Sequence, residues 1–440
     1  MNMNVSATPP PQQQPPQQQP PNALAVVNPI FGLLNSGNTC FLNVCIQLLN
    51  VIPELYQFIK DIPENTITEK IMPDIFLYKS WLSLTNNILI SSSTPTPTPE
   101  QVHIFNPIDF AKMAQKVAQH KKMELFVSEQ NDFSECFQFI LECIHTAISK
   151  SQTYEPFTEV VGKGGSGGRG GGGGGRAKHN TSATKKHKHN TSASAIKRDT
   201  ITNKVNDLYT YIYKKDGYSP ITELFGGVEL NIMSNIDHSI EHNASPMYFS
   251  VLNLPIATMT GNASHPPKTR IAKTLTDCFD FYTESELLYG ENAWVNEKTN
   301  QKEPAHKTTL FWSLPKILVI IIKRNIGTME RMNSLIEFPI TDDLDLSKYI
   351  YKNATATAGH ATAGPANGPT DTYKYSLFGI CNHIGDVHSG HYTCFIKTQP
   401  KDEKEQPFWI HINDHLINRV DEPKQMMTPM TYGLLYRLRE

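Results

Sequence analysis

The chain holds 440 residues, 39% hydrophobic and 19% charged, with 30 Pro and 26 Gly. That apolar content excludes a wholly disordered protein, and a formal net charge of −2 excludes a strongly basic nucleic-acid binder. The longest pure apolar run, Ile317 to Ile322, falls short of the roughly 18–20 residues that a membrane-spanning helix needs. The N-terminus, rich in Met, Asn, Gln and Pro, carries no secretory signal. Seven cysteines, an odd number, then argue for reduced thiols and an intracellular protein of cytosol or nucleus.

In chain order, residues 1–29 read as a disordered Pro/Gln-rich tail, with the low-complexity run at 8–22. After Cys40, the apolar spacing Leu42, Ile46, Leu49 predicts a helix, and Pro53 supplies a stop. Phe133, Phe137, Ile140, Leu141, Ile144 and Ile148 form a second helical stripe. Residues 160–198 hold a Gly tract and a twice-used KHNTSA unit, with nine basic residues and no acid. Removing those nine charges from −2 leaves −11 on the rest, so the picture is a basic loop on an acidic body. Ile317–Ile322 reads as a strand covered on both faces, and 353–370 as a second insertion with nothing to bury. Tyr375–Cys381, His391–Ile396, Trp409–Ile412 and Tyr432–Leu438 are short strand patterns separated by turns. Helices first and antiparallel strands later give an α+β class, with one domain over 30–440.

The chemistry starts at Gly37-Asn38-Thr39, a turn that delivers Cys40 to the start of a helix. There the helix dipole and unpaired N–H groups favour a thiolate. The same groups can donate to an oxyanion, and Asn35, five residues earlier, can add a side-chain donor. Taken alone, one cysteine after a turn reads as a small buried hydrophobe. A base has to come from elsewhere, and the candidate is His391, opening a strand that faces the sheet edge. Further on, a strand ends in Asn413 and Asp414, either of which can accept the imidazole Nδ1–H. If the strand continues, alternation points the two to opposite sides and Asn413→Ala is expected to cost more than Asp414→Ala; if the turn begins at Asn413, alternation fails and Asp414 swings toward His391. The order Cys, His, Asn/Asp is that of papain-like enzymes, but His391 lies 351 positions after Cys40. Subtracting the 39 and 18 residues of the two insertions leaves 294, about twice the papain spacing. Something large is inserted between the two halves of the site.

Those residues carry a family resemblance. Gly32–Leu49 (GLLNSGNTCFLNVCIQLL) resembles the cysteine box of the ubiquitin-specific proteases, and Tyr375–Ile396 with Trp409–Asp414 resembles their histidine box. Gln130–Glu135 resembles the QQDxxE motif between them, and the match runs from about residue 30 to the end. The resemblance implies a papain-like hand with helical thumb, antiparallel β palm and β fingers. It also implies cleavage after the C-terminal glycine of ubiquitin on ubiquitinated proteins. By motif, Cys40 is the nucleophile, His391 the general base, Asn413 the third member with Asp414 beside it, and Asn35 the oxyanion donor. Asp132 matches an acid that contacts the ubiquitin tail, and Gln130 and Tyr392 are expected to bind substrate beside it. An acidic body suits a tail that carries arginines.

The chain also departs from the family. It contains no CxxC pair, so the fingers are expected to lack the zinc ribbon, with no metal or cofactor required. Phe41 replaces the usual Tyr, and nothing accounts for Asn325 where the family prefers Phe. His179, His187 and His189 read as a solvated loop. The basic loop lacks aromatics, so it offers at most weak, non-specific nucleic-acid contact. Two other readings are a pseudoenzyme that holds ubiquitin uncut and a nucleic-acid-associated factor. Joint retention of Cys40, His391, Asn413 and Asn35 weighs against the first.

Overall fold

The computed structural model describes residues 30–60, 73–92, 102–125, 131–150, 196, 198–262, 265–297, 299–326, 330–352, 373–386, 389–399 and 406–439. The Pro/Gln tail, most of the basic insertion and the 353–370 segment lie outside them. Among the described residues, no helix is long and apolar enough to cross a membrane.

Helix Cys40–Asn50 buries all but its last residue, which makes it a central rod rather than a surface helix. It packs against helix Phe133–Ile148 on one side and strand Gly390–Lys397 on the other. Helices Pro73–Ser92 and Ile108–His120 complete this thumb. Pro53 does more than stop a helix: it opens the next one, Pro53–Lys60. A first-turn proline has no N–H to leave unsatisfied and a φ already suited to a helix. The predicted stripe from Phe133 is helix Phe133–Ile148, started by Asp132, whose Oδ1 accepts the Glu135 N–H at 3.1 Å.

The palm is one twisted sheet. Its order is Leu416–Val420, Trp409–Asn413, Gly390–Lys397, Lys374–Gly385, Thr431–Leu438, Ile317–Lys323 and Leu252–Pro255. Every neighbouring pair along that path is antiparallel except the last, Ile317–Lys323 with Leu252–Pro255, which is parallel. The Ile317–Ile322 run is buried on both faces, as its unbroken apolar pattern requires. The strand that His391 opens is an interior one, but its pairing with Trp409–Asn413 covers only Cys394–Lys397, so His391 itself is paired on one side alone, with Ile384. Arg324, 2% exposed, fastens this sheet by donating to the carbonyls of Thr431, Met332 and Ser334.

The fingers form a second sheet, ordered Glu241–Phe249, Gly227–Ser234, Ala305–Ser313 and Glu286–Leu288. Helix Arg198–Lys215 packs on its Glu241–Phe249 strand. Here the boundary of the basic insertion needs correction. Ile196 donates its N–H to Glu241 O at 2.9 Å and packs on the finger core, and Arg198 begins the helix. The insertion therefore ends before Ile196, because that side chain does have something to bury against. Toward the finger tip, the rings of His238 and His306 lie 4.1 Å apart.

Candidate active site

Cys40 is the first residue of its helix and 2% exposed. Gly37 at φ +96° and Asn38 at φ +51° turn the chain into it, left-handed values that glycine takes freely and asparagine tolerates. The first turn of the helix carries no acidic side chain of its own, so no helix residue offsets the positive end of the dipole at Cys40. Thr39 does not cap this helix with its hydroxyl. The hydroxyl donates instead to Asn35 Oδ1 at 3.1 Å and accepts the Ser36 N–H at 3.2 Å.

Asn35 is thereby oriented. Its Oδ1 also accepts the N–H groups of Gly37 and Thr39, each at 3.2 Å. The amide nitrogen must then point the other way, and it donates to Asp414 Oδ2 at 3.0 Å. An NH2 group has two hydrogens, so a second donor remains on Nδ2.

Strand Trp409–Asn413 runs through Asn413 and then turns, with Asp414 at φ +52°. That left-handed step breaks the alternation expected along a strand and swings the carboxylate back toward the imidazole. His391 Nε2 lies 2.7 Å from Asn413 Oδ1 and 3.9 Å from Asp414 Oδ2. Asn413 and Asp414 therefore share a side, the outcome expected where the turn starts here and not where the strand continues. The nitrogen differs too: Nε2, not Nδ1, meets Asn413. Since the amide oxygen accepts, the neutral ring carries its proton on Nε2 and keeps a lone pair on Nδ1.

The sequence did not single out Asn43. It sits three residues after Cys40 on the same helix, 2% exposed, and donates to Asp414 Oδ1 at 2.7 Å and to Leu34 O at 3.3 Å. The spacing from Cys40 was the available signal, because residues three apart share a helix face. Asp414 also accepts the Leu33 N–H on its own carbonyl at 3.0 Å. Gly32 permits that approach: a Cβ there would stand 2.9 Å from His415 Cα. One carboxylate thus joins the cysteine loop, the cysteine helix and the histidine side of the cleft.

Asp132 and Tyr392 lie beside this cluster, and Gln130 lies outside the described residues. Asp132 Oδ2 accepts from Tyr432 Oη at 2.5 Å and from Tyr392 Oη at 3.4 Å, while Oδ1 caps the helix. Tyr392 was expected to meet substrate, but its side chain is buried, with 4% exposure. Its ring stacks on His383 at 4.5 Å and its hydroxyl faces Asp132, so it is a packing residue of the cleft wall. Burial, reinforced by the Asp132 carboxylate, raises both phenols and keeps them protonated donors.

His383 is a second residue that the motifs did not flag. Arg331 donates to its Nδ1 at 2.5 Å and to its carbonyl at 2.7 Å. Arginine cannot accept, so His383 Nδ1 must, and the ring is neutral. Burial and the Arg331 charge pull its pKa from 6.5 down to about 4. Between those values the unfolded chain takes up a proton that the folded chain refuses, so stability falls as pH drops. The melting temperature should therefore decline from about pH 6.5 to about pH 4. The decline should be shallower in His383→Gln, and identical slopes in the two proteins would exclude His383 as its source.

The family model "Ubiquitin carboxyl-terminal hydrolase" matches residues 31–436. Ubiquitin carboxyl-terminal hydrolase 5 of Saccharomyces cerevisiae is 25% identical over 415 residues, covering 92% of this chain and 44% of that protein. Human ubiquitin carboxyl-terminal hydrolase 19 is 31% identical over 173 residues, 38% of this chain and 12% of that one. The chain thus spans less than half the length of these curated relatives. Among solved structures, the SAGA DUB module containing Ubp8, bound to ubiquitin aldehyde, superposes with a TM-score of 0.59. It is 18% identical and covers 95% of this chain and 71% of its own, a likeness of fold.

Proposed function

The chain belongs to the ubiquitin carboxyl-terminal hydrolase family, and on that premise we propose that it is a thiol-dependent deubiquitinase acting on ubiquitinated proteins. Cys40 is the nucleophile and His391 the base. The observation that carries this reading is the Asp414 carboxylate, which accepts from the Asn35 and Asn43 side chains and lies 3.9 Å from the His391 ring.

His391 takes the Cys40 proton, and the thiolate adds to the carbonyl carbon of the terminal ubiquitin glycine. The negative oxygen is met by the second Asn35 amide hydrogen at the positive end of the cysteine helix. Collapse expels the acceptor lysine amine, which receives the proton from the imidazolium. Water, deprotonated by the same imidazole, then adds to the thioester and releases ubiquitin with a free carboxylate. Asn413 holds the ring through its amide oxygen, and Asp414 supplies a negative charge near the imidazolium. Asp132 stands at the tail side, fixed by two tyrosines.

Ubiquitin bearing a C-terminal thiol-reactive warhead tests the assignment. Peptide mass mapping should place the adduct on Cys40 alone. All seven cysteines are buried, so the distinction rests on position: Cys40 alone opens a helix beside the Asn35–Asp414 group, while burial pushes the thiols of Cys45, Cys143, Cys278, Cys381 and Cys394 upward, Cys278 to about 12. An adduct on Cys45 or Cys136 would show that the nucleophile is misassigned. Labelling only by a ubiquitin-like probe would move the substrate to that modifier.

A further inference from the structure

The cleft has two ends, and the sheet order tells them apart. The His391 strand, Gly390–Lys397, lies between Lys374–Gly385 on one side and Trp409–Asn413 on the other. The fingers join the palm far along the first side. There strand Glu241–Phe249 leads into Leu252–Pro255, and Ala305–Ser313 leads into Ile317–Lys323. Tyr432, which holds Asp132, also lies on that side of His391. Asp132, proposed above to stand at the tail side, puts the tail's approach to Cys40 on that side. The leaving group departs over the opposite margin, where Trp409–Asn413 turns through Asp414 and His415 into the edge strand Leu416–Val420.

At that margin two large apolar side chains stand in solvent, Leu34 at 41% and Leu416 at 53% exposure. Leu416 is the register partner of Asn413, so both side chains project from one face of the sheet. Leu34 directly precedes Asn35, and the bond from Leu33 N to Asp414 O lays its segment beside the turn that leads to Leu416. A single exposed leucine needs no explanation, since much of any protein surface is apolar. Two that flank the same hydrogen-bonded group of Asn35, Asn413 and Asp414 on the departure side do.

Resting on the deubiquitinase reading, we infer that Leu34 and Leu416 form a leaving-group subsite. It takes the aliphatic stem of the acceptor lysine and an apolar residue next to it in the modified protein. The subsite is continuous with the cleft, and the acceptor is the part of the substrate that must cross it. An amine leaving group that carries apolar neighbours gains contact there, and one flanked by carboxylates does not.

The full chain should be assayed on three substrates. These are ubiquitin ethyl ester and two ubiquitin–peptide isopeptide conjugates whose lysine is flanked by leucines or by aspartates. Wild type should prefer the leucine-flanked conjugate by about tenfold in kcat/KM, the size expected for half the transfer free energy of a leucine side chain. Leu34→Ser and Leu416→Ser, which remove the apolar side chain without adding charge, should each erase most of that preference and leave ester hydrolysis within about twofold. Leu416→Met should keep the preference. Equal losses on ester and conjugate, or no loss on the conjugate, would overturn the subsite. So would a wild type that cleaves both conjugates equally. A wild type inert toward the ester and both conjugates would instead overturn the deubiquitinase reading itself.

Discussion

His391→Ala is expected to lower kcat/KM on a ubiquitin substrate by about 10²–10⁴-fold, the usual contribution of a general base. Affinity for ubiquitin should change little. The imidazole is 36% exposed and meets Asn413 through Nε2, so its removal leaves no large cavity and breaks no helix or strand. Its backbone stays paired with Ile384 in the neighbouring strand. The rate is measured by single-turnover hydrolysis, and the affinity by titrating labelled ubiquitin into a Cys40→Ala background with and without His391. A fall in affinity that matches the fall in rate would make His391 a structural residue and place the base elsewhere.

Asp414→Ala is expected to cost more than Asn413→Ala, the reverse of the ranking that strand alternation suggests. The amide of Asn413 only orients the ring. The carboxylate of Asp414 has three tasks at once, holding the Asn35 amide, the buried Asn43 amide and a negative charge 3.9 Å from the imidazole. Losing one oxyanion donor costs about 10²–10³-fold in kcat, so Asp414→Ala should fall at or beyond that range. It should also lower stability by about 1–3 kcal/mol, because Asn43 is left with only the longer bond to Leu34 O. Asn413→Ala should lose about 10²-fold, since Asp414 stands close enough to accept the ring N–H in its place. Single variants and the double variant, compared by kcat/KM and melting temperature, give the coupling directly. If Asn413→Ala proved the more damaging, the amide would be the decisive partner and the Asp414 network would serve stability alone.

The sequence by itself carried whatever depends on near neighbours along the chain. The helical stripes after Cys40 and from Phe133 became helices, and Ile317–Ile322 became a buried strand. The Cys box and His box identified the family because their spacings are short-range patterns, readable without knowing how the two halves meet. Local patterns misled where a single backbone angle decided the outcome. Alternation fails at Asp414 because φ there is +52°, and period-two reasoning assumes an extended residue. Pro53 was read as a stop because proline breaks a helix interior, yet the same ring favours a helix start. Tertiary structure alone decided the rest. Asn35 and Asp414 are 379 residues apart in sequence, and Asn43 and Asp414 are 371 apart, so no local signal pairs them. Tyr392 alternates onto the buried face of its strand, where Asp132, His383 and Tyr432 await it from other elements. A carboxylate's partners depend on which surfaces pack together, and that packing is settled by the whole core rather than by any one segment.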